Sequence, residues 1–299
     1  ALDVDLTLYD VGGSPSLDFD GRKASFSQVA YFLRPGIYLV KVNRWQGRAG
    51  SYEIKSDFFP PPLVNDTEGN DSYQTASTAV VNGSVTGHLG YYTASSTDTE
   101  DYWKFSITSN GKVLVQVTSD SVDQSGATYD LDLTLYDVNG TSSMDFDGRY
   151  GKYSESTVYL RPGTFFAKVN RWQGYGGSYT LNITHTPPSR ANDVEGNDSY
   201  SSASLLTFGL TSSGHIGYSA NGTTDRDDYW SIVAPSSDSL YVHVSSDMTI
   251  DVDLTSFAPD GVTSLGFDGQ YGTYSRLGIK PTAGSTYYFK VNRWSGTAG

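Results

Sequence analysis

The chain repeats itself at a spacing of a whole domain, and this limits its fold more than any single motif. LDVDLTLYDV at Leu2–Val11 returns as LDLTLYDV ending at Val138, so that Asp3 matches Asp130 and Asp5 matches Asp132, 127 residues on. NDTEGNDSY from Asn65 returns as NDVEGNDSY from Asn192, and VNRWQG at Val42 returns at Val169 and again as VNRWSG at Val291. A period of this length is far beyond a solenoid repeat and close to an entire domain.

The frame of the repeats predicts the organisation. Residues 1–57 read as the C-terminal half of a β-sandwich repeat, 65–184 as a complete one, and 192–299 as a third lacking its last strand. Pro-rich linkers at 58–64 and 185–191 separate them; clustered Pro excludes central-strand pairing and stiffens a connection. SYEIK from Ser51 and SYTLNI from Ser178 read as the last strand of their units, and 192–299 stops short of it. An edge left so would expose unpaired backbone. The expectation is a window on a longer array, or strands supplied by neighbouring repeats or subunits.

Alternation at period two marks the strands. In YDLDLTLYDV, Leu131, Leu133 and Leu135 fall on one face and Asp132, Thr134 and Tyr136 on the other. After the Arg-Pro-Gly turns at Arg34 and Arg161, GIYLVKVNRW and GTFFAKVNRW read as strands, with Tyr38, Val40, Val42, Phe165, Ala167 and Val169 as core positions. Lys112–Ser119 and Leu240–Ser246 match as a further strand, and Asn70–Ala79 offers at most one turn of helix. The fold class is all-β, an antiparallel jelly-roll-like sandwich of about eight strands per unit.

Composition narrows the function. The 20 basic and 33 acidic residues leave −13, which repels nucleic acid and anionic lipid, and no run reaches the roughly 18 apolar residues of a membrane span. Without Cys there are no disulfides, thiolate metal sites or Cys nucleophile, so a secreted chain of this kind needs another staple, such as bound metal. Of the four His, only His88 and His215 are repeat-equivalent, and no Ser and Asp accompany them in a nucleophile motif; a strand His packed on Tyr is the expectation. Carboxylates recurring in separate units argue for binding or structure, because an active site is normally built once. The chain reads as no enzyme.

The ordered set NDxEGNDSYxxAS, D-x-x-D-Y-W, DLDLTLYD, RPGTFFAKV and GGSYTLNI resembles the bacterial pre-peptidase C-terminal domain family, which includes the collagen-binding domains of clostridial collagenases. The resemblance covers the complete unit, nearly all of the third and the half of the first. It implies a jelly-roll-like sandwich appended to secreted peptidases, and hence a secreted or cell-surface location. Gly69 and Gly196 stand where the family usually has Pro, a departure expected to loosen the linker.

Asp66, Glu68, Asn70 and Asp71 are followed 27 residues later by Asp98 and Asp101; Asp193, Glu195, Asn197 and Asp198 are followed likewise by Asp225 and Asp228. In extended chain, residues two apart share a face. The ligands are all hard oxygens, in a number that suits Ca²⁺, with no His or Cys to favour zinc. The resemblance implies that such positions hold calcium and pin the linker to the sandwich; the bland reading is turn capping. The aspartates of DLDLTLYD and MDFDG (Asp130, Asp132, Asp145, Asp147) read first as hairpin residues. Trp45, Trp172 and Trp294, with Tyr175, are candidates for stacking on collagen or polysaccharide or for inter-repeat contact, against a Trp stacked by its neighbouring Arg or a plug at one end of the sandwich. Among the N-x-S/T sequons, Asn82, Asn139 and Asn221 lie in turns and are the better glycan acceptors.

Two functional readings stand: a structural array (filament, stalk or surface layer) of calcium-stabilised repeats contacting one another or identical subunits, and a targeting module for collagen or polysaccharide on a secreted protease or glycanase.

Overall fold

The computed structural model describes residues 2–23, 25–93, 96–119, 129–246 and 250–299. It is all-β, with no α-helix among the described residues and one short 3₁₀ turn at Tyr200–Ser202.

The repeat at 65–184 builds two facing sheets. One is ordered Ser143–Asp147, Asp130–Tyr136, Gly163–Gln173, Glu100–Ile107 and Ser77–Thr78, antiparallel except for the last pair. The other places Gly111–Ser119 between Tyr153–Leu160 and Gly177–Thr186, with Gly83–Leu89 beyond. Strand alternation turns Leu131, Leu133, Leu135, Phe165, Ala167, Val169, Trp103 and Phe105 inward against Val113, Val115, Val117, Leu181 and Ile183. On the second face of Asp130–Tyr136, Asp130, Asp132 and Thr134 are buried as well.

The third repeat reproduces the first sheet as Ser264–Asp268, Ile250–Phe257, Thr286–Gly296, Asp227–Val233 and Ser204–Leu205. Its second sheet is reduced to Leu240–Ser245 paired with Tyr274–Ile279. Residues 209–217, equivalent to a strand in the complete repeat, are irregular because the strand that would pair them has no counterpart among the described residues. Among the described residues, the first repeat holds only the strands Ser16–Asp20, Asp3–Asp10 and Tyr38–Gln46.

Two expectations fail there for the same reason. SYEIK forms no strand: Tyr52 and Ile54 are exposed, because the equivalent strand, Gly177–Thr186, pairs with two strands that residues 1–57 do not contain. Val40 is exposed rather than in a core, and Tyr38 and Val42 are half-buried, since no second sheet covers them.

Successive repeats join in one way at both junctions. The segment before each Arg-Pro-Gly turn lies parallel to a pair of short strands of the next repeat: Leu33 forms an isolated bridge with Tyr92, and Leu160, at the end of its strand, pairs with Ser219. Arg34 N donates to Tyr92 O at 3.0 Å and Arg161 N to Ser219 O at 3.0 Å. Asp137 Oδ1 accepts Asn221 N at 3.0 Å across the second junction, and Asp10 Oδ2 accepts Tyr92 Oη at 3.4 Å across the first.

Leu133 lies in the core of the complete repeat with no exposure, so Leu133→Ala should destabilise that repeat by about 2–5 kcal/mol. Urea unfolding of the full chain should show one transition moved to lower denaturant with the others in place.

Candidate cation site

Each linker is held down before it delivers its acidic residues. His88 Nε2 donates to Leu63 O at 2.6 Å and Thr86 Oγ1 to Val64 O at 2.6 Å; His215 Nε2 and Ser213 Oγ do the same for Arg190 O and Ala191 O, both at 2.7 Å. The two histidines also pack on Tyr91 and Tyr218, ring centres 5.2 and 5.6 Å apart. They are linker anchors, and the acceptor carbonyl places the proton on Nε2.

Gly69 and Gly196 then turn the chain at φ +98° and +102°. Proline is locked near −65° and cannot take this conformation. The expected loosening is therefore replaced by a sharp bend, across which Asn70 Nδ2 donates to Asp66 Oδ2 and Asn197 Nδ2 to Asp193 Oδ2, each at 2.6 Å. The carbonyls of Asn70 and Asn197 accept the amides of Tyr102 and Tyr229 at 2.8 Å. That bond docks the linker beside Asp101 and Asp228, one residue earlier on the strand.

The result is a carboxylate cluster in each of two repeats. Ligand atoms of Asp66, Glu68 and Asp101 lie within 4.8 Å of one another. Asp101 is fully buried and Asn70 is 1% exposed. Asp66 Oδ1, Asn70 Oδ1, Asp98 Oδ1 and Asp101 Oδ1 are buried with no hydrogen-bond partner; Asp193 Oδ1, Asn197 Oδ1, Asp225 Oδ1 and Asp228 Oδ1 repeat the pattern. Such orphaned acceptors are rare and costly, and here they recur at equivalent positions of two repeats. Asp71 and Asp198 stay exposed at the rim, where their charge still reaches Asp98 and Asp225.

Burial, followed by like-charge repulsion from Glu68, pushes Asp66 up to about 6 and Asp98 up to about 7. Burial and the charges of Asp66 and Asp98 raise Asp101 well above the carboxylate range. In the third repeat, burial takes Asp225 up to about 7 and, with Asp193 and Asp225 nearby, Asp228 up to about 9.

Five contributors, of three kinds, were not singled out from sequence. Tyr179 Oη donates to Asp101 Oδ2 at 2.5 Å while accepting Trp103 Nε1 at 2.8 Å. Asn65 and Asn192 each orient a glutamate and leave Oδ1 orphaned. Most consequential, Arg34 and Arg161 reach in from the preceding repeat. Arg34 pairs with Glu68 and, at 2.6 Å, with Asp98 Oδ2; Arg161 pairs with Glu195 at 3.0 Å and Asp225 at 3.1 Å. Their 127-residue spacing in identical turns was the available signal.

The second aspartate set is satisfied internally. Asp147 takes Arg149 at 2.9 Å and Glu155 N at 2.7 Å, and Asp130 Oδ1 takes Gly151 N at 2.9 Å, so these carboxylates brace hairpins. Trp45, Trp172 and Trp294 are exposed, Trp172 by 72%, which removes the plug alternative; Tyr175 is also exposed. The adjoining arginines turn away to cap the Gly carbonyls of the next bend, Arg44 to Gly47 O at 3.2 Å and Arg293 to Gly296 O at 2.5 Å. Asn82, Asn139 and Asn221 lie in turns, Asn82 and Asn221 at positive φ. Among the described residues no helix is long and apolar enough to cross a membrane.

No family model matches the chain, and no curated protein sequence matches it. Among solved structures, the pre-peptidase C-terminal domain of a Bacillus anthracis collagenase is similar to 36% of this chain, over 93% of its own length, at 17% identity and a TM-score of 0.30. The tandem CBM22 domains of Paenibacillus barcinonensis Xyn10C align with 75% of this chain and 87% of theirs, at 12% identity and a TM-score of 0.22. A Yersinia pseudotuberculosis-derived mitogen aligns with 37% of this chain and 89% of its own, at 15% identity and a TM-score of 0.24. The β-sandwich class rests on the strands and sheets described above.

Carboxyls raised above their unfolded value of 3.8 favour the folded state while protonated. Their contribution is complete below about pH 4 and lost as pH rises through about 6 to 7. In a chelator, the melting temperature should therefore fall from about pH 5 to about pH 7.5. Calorimetry checks this, and a rise over that interval would contradict the cluster's electrostatics.

Proposed function

We propose that the chain is a non-catalytic, extracellular structural module whose second and third repeats are each stabilised by one calcium ion held between linker and sandwich. The single observation that carries this reading is the set of buried, partnerless oxygens recurring at equivalent positions of two repeats. Asp66, Glu68, Asn70, Asp98 and Asp101 would hold one ion and Asp193, Glu195, Asn197, Asp225 and Asp228 the other. The donors are hard oxygens alone, the chemistry of calcium rather than zinc. Bound metal supplies positive charge where folding has buried negative charge, and it would fix each linker on its sandwich. The function is then mechanical: a string of stiff joints at a cell surface or in an extracellular filament, the repeats contacting one another or identical subunits.

A second reading has its own observation. The exposed tryptophans recur in all three copies on equivalent strands, and flat, solvent-facing aromatic rings stack well on sugar rings or on a collagen surface. Targeting of a secreted enzyme to such a polymer uses the same fold without contradicting the calcium reading.

Titration calorimetry of the full chain should count two calcium ions, and calcium should raise the melting temperature. Asp101→Asn removes one buried charge, so it should raise the melting temperature in chelator while abolishing one of the two binding events. A wild-type melting curve indifferent to both calcium and chelator would overturn the proposal.

A further inference from the structure

With those of Asn65 and Asn192, five Oδ1 atoms are orphaned in each cluster, short of the roughly six to eight oxygens that calcium takes. Further oxygens are offered by the glutamate and by the second oxygen of the outer aspartate. Those are the atoms that the preceding repeat's arginine holds: Glu68 and Asp98 Oδ2 for Arg34, Glu195 Oε2 and Asp225 Oδ2 for Arg161. A guanidinium and a divalent ion therefore draw on one set of carboxylates.

We infer that Arg34 and Arg161 are built-in counter-ions of the cation-free junctions, and that calcium uptake by one repeat is negatively linked to arginine docking from the repeat before it. The inference rests on the calcium reading and adds to it a competitor from the preceding repeat. Two effects oppose each other. By gripping the outer aspartate, the arginine orders a ligand, which helps the ion. It also places a positive charge in contact with two ligands and withdraws their lone pairs, which opposes the ion at every approach. Repulsion between like charges in a buried cluster outweighs the ordering of one short side chain, so the net linkage is negative. By reciprocity, calcium weakens the arginine contact by the same factor that the arginine weakens calcium.

The geometry leaves room for this exchange. Arg161 keeps 24% of its side chain in solvent, enough to swing outward. The junction meanwhile retains bonds that do not involve a guanidinium: Leu160 with Ser219, Asp137 Oδ1 with Asn221 N, and Asn110 with His215 Nδ1 at 3.2 Å. Calcium thus moves each joint from a side-chain ion pair to backbone and hydrogen-bond contacts, without separating the repeats.

The test uses the full chain with Asp101→Asn as background, so that only the second site reports. Adding Arg161→Gln should tighten calcium binding there by about five- to tenfold in titration calorimetry. It should also lower the melting temperature in chelator, widening the interval that calcium restores. Arg161→Lys keeps the charge with fewer contacts and should lie between the two. An Arg161→Gln affinity equal to or weaker than its parent would overturn the linkage and make the arginine a positioning residue. Absence of any calcium uptake by the unsubstituted chain would instead remove the calcium reading itself, so the two failures are separable.

Discussion

Burial of several carboxylates at one point is the constraint on which the junctions depend. Taking a carboxylate out of water costs several kcal/mol even after relaxation, and neighbours of the same sign add to it. Asp101 and Asp228 nevertheless sit on strands whose burial is set by the sandwich itself, one residue from Tyr102 and Tyr229. The strand cannot turn them outward without turning Trp103 or Trp230 with them, because alternate residues share a face. The charge must be met from elsewhere. The protein meets it with a linker bent at Gly69 or Gly196 to bring amides and further oxygens, and with a guanidinium from the previous repeat.

Repeat-equivalent segments take different structures at different places in this chain, and sheet pairing accounts for each case. SYEIK is irregular, whereas the repeat-equivalent SYTLNI is a central part of Gly177–Thr186. The residues after Gly209 are irregular, whereas those at Gly83–Leu89 form a strand. Local alternation is alike in each pair. What differs is whether two long-range partners exist, and strand propensity is largely a statement about such partners. Each sandwich is therefore a nonlocal object: its second sheet closes only when the segment before the Asp-x-Asp strand and the segment after the Trp turn are both present.

That distinction also accounts for what was legible beforehand. The period, the all-β class and the inward Leu131, Leu133 and Leu135 follow from spacing and alternation, and the structure contains them. The acidic residues drawn together in the clusters were legible because turn capping alone does not call for an oxygen-only set that recurs at one spacing in two repeats. Asp71 and Asp198 face solvent, and strand alternation already sets them opposite Asn70 and Asn197; only their place in the acidic run pointed inward. Arg34 and Arg161 escaped because they belong to the repeat before, and sequence proximity says nothing about which turn meets which cluster. Tyr179 escaped for a similar reason: its partner Asp101 is 78 residues away, across the sandwich. The exposed tryptophans were open to opposite readings because a Gly-flanked Trp has the same local sequence whether it plugs an end or faces water.

A cluster completed by its predecessor changes what a repeat is. The sandwich at 65–184 contains its own core, yet its charge balance is finished by Arg34, outside those residues; the sandwich at 192–299 depends in the same way on Arg161. Stability in such an array is the sum of repeat terms and nearest-neighbour terms, and here the neighbour term carries a charge and, on the proposed linkage, a competing ion. Repeats of this kind are not interchangeable beads on a passive string. Each joint then has a set point fixed by the ion outside, and identical joints in series share it, so a change too small to move one joint perceptibly adds along the length of the chain.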